Sequence, residues 1–441
     1  MLASGIIRRF PVLAVVLLLL PATRALAQTD PAATPAPPPA AGASSSQSAV
    51  TLPPLAPDGF FKEPVYLGAG VDLLIDKLGN GQKEPKSGFY PEFSNMITGS
   101  GWVSVGPGYR QYWRNDHLML DTSAAVSWHF YKMGQARIEG RELADGHLTV
   151  GTQAMWQDQT QVNFFGVGPD VLNSDKTQYR LQSLDFVGYG AYQTNDWLTF
   201  DGTVGWLPRP KLLPPGGSFR GDYPDTLVVF SDEPAASVSK QPDFLHGTVA
   251  ATADTLDYRG HPTSGGRYRA AFTWYSDRST GIFSFRQYEA EGTQIVPLRY
   301  DRRWLLAFRG WVVLTDVPSG NEVPFYLLPA IGGNNTLRSY HNLEFHDLNS
   351  LVANAESRWA LFTHVDGALF LDAGNVAATA GDLNLGTVSY GAGVRVHIER
   401  TTIARLDVAH GVQGWQVVFR TSDPLRLKRG KRWIASIPFT P

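Results

Sequence analysis

A single arginine, Arg338, lies in a glycine-rich segment that includes Gly332 and Gly333, and the acids Glu356 and Asp372 follow in two alternating segments. A guanidinium that folds away from water needs a carboxylate partner, because an unpaired buried charge is costly. Arginine can bind a carboxylate through two hydrogen bonds, which fixes geometry as well as charge. The three residues therefore predict an ion-paired lock. The alternative is that each acid is one of many solvated charges.

Residue patterns typical of catalysis or metal binding are weak in this chain. His341 and His346 are close in sequence, but no acid cluster joins them, so we expect no metal site. The segment nearest to a G-x-S-x-G motif, residues 102–106, lacks the first glycine. The glycines of residues 99–101 lack the strand-then-helix context of a phosphate loop. We therefore expect neither an enzyme nor a bound cofactor.

The segments around these residues alternate with period two, which is typical of β-strands. In residues 118–131, the even positions are mostly apolar, whereas the odd positions include Asp121 and His129. In residues 388–399, apolar side chains alternate with Gly, Arg395 and His397. A soluble sandwich would also bury an apolar face, but charge on the other face of several strands, Asp407 included, favours a polar lumen.

Turn lengths alternate along the chain between short and long, as in outer-membrane barrels with short periplasmic turns and long external loops. Counting segments predicts a transmembrane antiparallel β-barrel of about sixteen strands, uncertain by two. The loop holding Arg338 falls on the outer side, between about the eleventh and twelfth strands. We expect this external loop to fold inward. The short turns are expected at 114–116, 144–146, 260–264 and 399–401, and the long connections at 166–176, 208–243, 316–349 and 374–386.

The N-terminal residues predict export. Residues 1–27 have the basic start, short apolar run and Ala-Leu-Ala site of a signal peptide. Residues 28–62 are rich in Pro and Ala and predict a disordered linker before the barrel of residues 63–421. Residues 422–441 form a basic extension. This extension is a solvated periplasmic tail, a contact to lipid phosphates or a plug of the lumen.

Composition excludes several classes of protein. The chain has no Cys, so disulfides and Cys-based metal sites are impossible. Its 38 Lys and Arg against 40 Asp and Glu become 35 against 40 once the three arginines of the signal peptide are removed, a net charge of −5 that does not indicate nucleic-acid binding. Export, no apolar run long enough for a membrane helix, and 12 Trp, 17 Tyr and 23 Phe together predict a bacterial outer-membrane barrel in contact with lipid. The alternative is a secreted soluble β-protein.

Four short motifs resemble the BamA/TamA outer-membrane assembly family, also described as the bacterial surface antigen barrel, and they stand in that family's order. The segment with Gly332, Gly333, Leu337, Arg338, Ser339 and Tyr340 resembles its inward-folded sixth external loop. Residues 370–376, with Asp372, Gly374 and Asn375, are similar to its Asp-x-Gly-Asn-Val strand, and Glu356 matches the strand acid after the loop. Residues 163–170 resemble a segment common in its shorter members. The periplasmic turn is matched by Asp257, Arg259, Pro262 and Gly265.

The resemblance implies that Arg338 is the loop arginine, with Asp372 and Glu356 as its wall partners. It also implies a weak seam between the first and last strands, which opens sideways so that a substrate strand can pair with the exposed edge. Three features depart from the family. No room is expected for periplasmic POTRA domains, Ser339 replaces a glycine, and a tail follows the last strand. A periplasmic partner would have to replace the POTRA domains.

These observations predict a protein that inserts, assembles or translocates protein or lipid at the outer membrane, with a nascent outer-membrane protein or lipid as substrate. One alternative is a passive channel or receptor on the same barrel. Another is a structural barrel that anchors a second protein through its basic tail.

Overall fold

The computed structural model describes residues 59–66, 68, 87–94, 104–216, 223–238, 240–258, 260–398 and 401–420. The predicted signal peptide, most of the predicted linker, the C-terminal extension and Arg259 lie outside the described residues. Within the described part of the chain, no helix has the length and hydropathy needed to span a membrane.

The described residues form almost only antiparallel strands. The first nine strands lie before residue 255, and β8 is a three-residue strand that pairs only with β6. Their bounds are β1 Gly88–Ser94, β2 Ser104–Trp113, β3 Leu118–Ser127, β4 Lys132–Leu143, β5 Leu148–Phe164, β6 Thr177–Asn195, β7 Leu198–Leu207, β8 Lys211–Leu213 and β9 Phe244–Asp254.

The second half of the chain continues the same pattern. Two of its strands, β13 and β14, form a separate two-stranded sheet inside one connection. The bounds are β10 Gly265–Asp277, β11 Phe285–Pro297, β12 Trp304–Asp316, β13 Ala330–Ile331, β14 Phe345–His346, β15 Asn349–Phe362, β16 Val365–Ala377, β17 Thr387–Ile398, β18 Thr401–Gly411 and β19 Gly414–Arg420.

The long sheet has 17 strands, and without the short β8 sixteen strands make up its wall. Neighbours in sequence pair from β1 to β7, then β7 pairs with β9, and pairing continues through β12, β15 and on to β19. The all-β fold with about sixteen strands is therefore confirmed. Among the described residues β19 does not pair with β1, so the sheet is not closed into a barrel by strand pairing there.

The two faces of the sheet differ as the alternation predicts. In β3 the odd positions, Asp121 among them, are buried, whereas Ala124 and Val126 on the other face are exposed. In β17 Arg395 is fully buried and Tyr390 is 52% exposed. Because large apolar side chains are exposed repeatedly along the same face of the sheet, the outer face is typical of a lipid-facing surface.

Residues 128–131 and 412–413 are short connections on the side of the long loops, whereas most other connections alternate between short turns on one side and long loops on the other, as predicted. We call these the turn side and the loop side. The longest described loop, residues 317–348, joins β12 to β15, the eleventh and twelfth strands of the wall, and folds inward with buried side chains.

Two boundaries differ from the prediction. Gly374 and Asn375, expected in a turn, lie within β16, because Gly374 pairs with both Val352 and Thr387 and the strand continues to Ala377. The turn between β9 and β10 spans residues 255–264, longer than expected, because Asp257 organises it through several hydrogen bonds.

A short segment before the first strand contacts the turn side. The backbone amides of Phe60 and Phe61 donate to the carbonyls of Ala360 and Leu361 at 2.8 and 2.9 Å. Glu63 accepts from the backbone amide of His364 at 2.8 Å. Residues 59–62, which fall at the end of the predicted linker, thus extend the hairpin of β15 and β16.

Candidate functional site

The inward loop turns sharply at Gly332 and Gly333, whose φ angles are +111° and +84°. A side chain at Gly332 would collide with the carbonyl oxygen of His341, and one at Gly333 with the amide of Asn342. The Gly333 amide donates to the Leu337 carbonyl at 3.0 Å. Only glycine allows this backbone path, which brings the following residues back toward the wall.

An apolar cluster anchors the loop beside its arginine. Leu337 is fully buried and Tyr340 is 4% exposed, and both pack with Trp311 from β12. The rest of the cluster is Val313, Ile331, Phe345, Val352 and Val376. Because it joins the loop to β12, β15 and β16, it fixes where the intervening Arg338 side chain can reach.

Arg338 lies against two carboxylates of the wall. Its Nε and Nη2 donate to Asp372 Oδ2 and Oδ1 at 2.9 and 2.7 Å, and its Nη1 donates to Glu356 Oε1 at 2.6 Å. The guanidinium carbon lies 3.5 Å from the centre of the Phe370 ring. The structure thus brings the three predicted residues together, with a two-bond contact to Asp372 from β16 and one bond to Glu356 from β15.

The ion pair belongs to a larger charged network. Glu356 also accepts from Arg358 Nε at 2.7 Å and from Arg395 Nη2 at 2.9 Å. Asp407 lies 3.4 Å from Arg338 Nη1, 3.3 Å from Arg395 Nη1 and 3.1 Å from Arg405 Nη1. We call Arg338, Glu356, Arg358, Asp372, Arg395, Arg405 and Asp407 the loop-lock network.

Sequence reasoning placed Arg395 and Asp407 in the lumen but did not predict these pairings. Alternation along a strand gives the face on which a side chain lies. It does not give the curvature that brings carboxylates of three strands, β15, β16 and β18, around one guanidinium.

Two neighbouring residues attach the loop to β17. The Ser339 amide donates to Ser389 Oγ at 3.0 Å, and Tyr340 Oη donates to the Val388 carbonyl at 3.4 Å. Ser339 does not have a positive φ angle. It therefore replaces the family's glycine without backbone strain, and its amide still reaches the wall.

The loop-lock network has four arginines and three carboxylates, and Glu356 and Asp407 are each shared by three guanidinium groups. Burial lowers the pKa of Arg338, but the charges of Asp372 and Glu356 raise it further, so its pKa lies above the ordinary value and the guanidinium stays charged. A network of buried, paired charges holds one geometry strongly, because removing one partner leaves an uncompensated charge in a medium of low polarity. The arrangement can hold a loop in place.

The β9–β10 turn carries the other predicted motif. Asp257 Oδ1 accepts from the amides of Tyr258 and Thr263, both at 2.9 Å, and Arg302 Nη1 donates to Asp257 Oδ2 at 3.2 Å. Pro262 lies between these contacts, and Gly265 begins β10 with a φ of +94°. Asp257 therefore shapes the turn.

A third cluster was missed by sequence reasoning. His261 of the same turn lies beside Asp366 of β16 and His397 of β17. Its Nε2 is 3.3 Å from Asp366 Oδ2, and His397 Nε2 is 3.4 Å from Asp366 Oδ1. These residues are far apart in sequence, and the only signal was that Asp366 and His397 each occupy an inward position.

The chain resembles known proteins in its sequence family and in its fold. The family model described as the Omp85 superfamily domain matches residues 149–413. No curated protein sequence gives a significant match. The chain is similar in fold to a crystal structure of BamA from Haemophilus ducreyi lacking POTRA domains 1–3, with 14% identity, coverage of 80% of this chain and 77% of that chain, and a TM-score of 0.56.

Two further solved structures are CdiB proteins. CdiB from Escherichia coli is 12% identical, over 76% of this chain and 62% of that chain, with a TM-score of 0.49. CdiB from Acinetobacter baumannii is 13% identical, over 75% and 58%, with a TM-score of 0.43. The chain thus spans less than two thirds of either CdiB chain.

Proposed function

Because this chain belongs to the Omp85 superfamily, we propose that it is a bacterial outer-membrane barrel that inserts, assembles or translocates protein or lipid. Members of the superfamily act in insertion or translocation rather than as enzymes. The observation that carries the proposal is the bidentate contact between Arg338 and Asp372 inside the barrel. A loop held this firmly in the lumen suits a barrel with a defined working shape better than an open pore.

The exposed outer face supports placement in a membrane. Aromatic and aliphatic side chains there, such as Trp206, Leu369 and Val417, are 50, 55 and 69% exposed in the isolated chain. Lipid would cover them, since burial of apolar surface stabilises by about 25 cal/mol per Å². Outer-membrane lipid is therefore one partner of the proposed barrel.

In this proposal, Arg338, Asp372 and Glu356 act as the lock of the inward loop, with Gly332, Gly333, Leu337, Ser339 and Tyr340 shaping it. A nascent outer-membrane protein or a lipid is the substrate, and a periplasmic partner delivers it. The lock keeps the wall rigid between β15 and β18 while a different part of the barrel receives the substrate.

The proposed entry point is the seam between β1 and β19. Both strands have seven residues, and in the described part of the chain they do not pair with each other. A strand edge with free amides and carbonyls is a template for another strand. A substrate strand would therefore pair with β1 or β19 by β-augmentation.

Locking the seam tests this function. The chain has no cysteine, so variants with one cysteine in β1 and one in β19 carry no other thiol. Each variant would be oxidised in lipid vesicles. An unfolded eight-stranded outer-membrane barrel protein would then be added to these vesicles, and its folding rate would be measured. We expect the unlocked protein to accelerate folding, the oxidised one to lose this effect, and a reductant to restore it.

A matched control places the disulfide across an existing hairpin, at Gln193 and Thr199, which already pair between β6 and β7. This variant should accelerate folding in both redox states. Equal acceleration by seam-locked and unlocked proteins would show that the seam does not open. No acceleration by any form would refute the insertion of barrel proteins.

A further inference from the structure

The cluster of His261, Asp366 and His397 lies on the turn side, away from the loop lock. Each residue offers one ligand atom, and the three atoms lie within 4.8 Å of one another. We propose that this two-histidine cluster binds one divalent transition-metal ion of the zinc type. The proposal does not depend on the insertion function.

The spacing of the ligand atoms supports an ion between them. His261 Nε2 and His397 Nε2 lie 3.3 and 3.4 Å from the two oxygens of Asp366. Zinc binds nitrogen and oxygen ligands at about 2.0–2.2 Å in a tetrahedron, which places two ligands about 3.3 Å apart. A charge-assisted hydrogen bond would be shorter, at about 2.7–2.9 Å. The observed separations match the edges of such a site, and each histidine faces a different oxygen of Asp366.

The donor set selects the class of metal. Imidazole nitrogens suit zinc and its neighbours, whereas magnesium and calcium prefer oxygen ligands alone. The side chains of His261, Asp366 and His397 are only 7, 8 and 12% exposed. Three protein ligands leave one tetrahedral position for water. Two imidazoles and one carboxylate thus supply three of the four ligands of a tetrahedral site, and water would supply the fourth.

Residues around the cluster fix its orientation. His261 Nδ1 lies 3.4 Å from Thr402 Oγ1, and the Thr402 amide donates to the Gly260 carbonyl at 3.0 Å. With Nδ1 facing the hydroxyl, Nε2 faces Asp366, the arrangement by which outer partners orient metal-binding histidines.

Two features could oppose a bound cation. Arg358 interacts electrostatically with Asp366, although its Nε also donates to Glu356 at 2.7 Å. The two imidazole rings stack with centroids 3.8 Å apart and planes at 11°. Such a stack can also exist without metal, which is the alternative that the experiment must distinguish.

A bound ion would connect parts of the chain that are distant in sequence. His261 belongs to the β9–β10 turn, and its neighbour Gly260 bridges to Thr401 at the start of β18. Asp366 and His397 belong to β16 and β17. The metal would therefore fasten the turn to the wall at the end of the barrel opposite the inward loop.

The test uses the full chain without a histidine tag, in detergent micelles after chelator treatment. Titration calorimetry with zinc chloride measures stoichiometry and affinity, and magnesium and calcium chloride serve as comparison ions. We expect one zinc per chain and no heat from magnesium or calcium. His261→Ala and His397→Ala should each weaken zinc binding at least tenfold. His117→Ala, which removes an exposed histidine from the β2–β3 turn on the same side, should leave the affinity unchanged.

Cobalt provides a second readout, which reports the coordination geometry of the bound ion. We expect the wild-type chain to give the intense visible absorption of tetrahedral Co²⁺, and Asp366→Asn, which keeps the shape of the side chain, to lose it. Zinc affinity equal in wild type, His261→Ala and His397→Ala would overturn the proposal. So would a folded wild-type chain that binds no zinc and gives only the weak spectrum of hydrated cobalt.

Discussion

Replacing Arg338 by alanine should destabilise the barrel by about 3–5 kcal/mol, the cost of removing one member of a buried ion pair. The contacts show where this cost arises. Glu356 keeps Arg358 and Arg395 as partners. Asp372 is fully buried and keeps the Asn354 amide at 2.8 Å. The unfavourable free energy therefore comes mainly from the unneutralised charge of Asp372.

A double-mutant cycle separates this pairing from general disruption. Asp372→Asn removes the buried negative charge that Arg338→Ala leaves without its partner. The double variant should thus be less destabilised than the sum of the single variants by about 1–3 kcal/mol, within the range for directly contacting residues. Equilibrium urea unfolding in phospholipid vesicles, followed by tryptophan fluorescence, measures each free energy of unfolding.

An exposed ion pair provides the matched control. Arg286 and Asp316 lie 3.4 Å apart, and both side chains are 54% exposed. Arg286→Ala should cost less than about 1 kcal/mol, as is usual for surface pairs. The reasoning would be refuted if Arg338→Ala cost no more than this control, or if the effects of Arg338→Ala and Asp372→Asn were simply additive.

Three further outcomes are expected. In planar bilayers, wild type should show a small, fluctuating conductance that enlarges in Arg338→Ala as the loop loses its anchor; a large, steady conductance in both would indicate a passive channel. Gly411→Ala should cost about 1–3 kcal/mol in urea unfolding, because the added methyl group collides with Ser339 Oγ; an unchanged midpoint would contradict this contact. Burial raises the pKa of Glu344 from 4.5, so its contribution to stability is fully present below pH 4.5 and is lost as the pH rises through the raised value. Glu344→Gln should remove this loss, and parallel stability profiles of variant and wild type between about pH 4 and 8 would contradict the argument.

The sequence predicted the wall and the core of the lock because both depend on strand periodicity. Successive side chains of a strand point to opposite faces, so the position of Asp372 within its strand determines that it faces the lumen. The same rule places Glu356 there. The confirmed family resemblance supplied the inward path of the loop, which periodicity alone does not contain.

The rest of the lock depends on features that the sequence does not encode locally. Asp407 reaches the Arg338 guanidinium, and Arg395 reaches Glu356 and Asp407, only because β17 and β18 lie beside the loop, with Gly393 paired to Asp407. The path of the β9–β10 turn is set by Asp257 and its backbone partners. Because the sequence does not reveal that path, it does not indicate that His261 lies beside Asp366 and His397.

The two clusters act on the same part of the wall, and this bears on where the proposed barrel can open. Asp366 lies at the start of β16 and Asp372 in its middle, and Arg395 and His397 lie on β17. Separating these strands would expose or unpair buried charges, which is costly. Parting β1 from β19 breaks no ladder within the described residues. The proposed sideways opening at that seam would therefore cost less free energy than separating β16 from β17, and the β15–β18 wall would give the moving edge a fixed support.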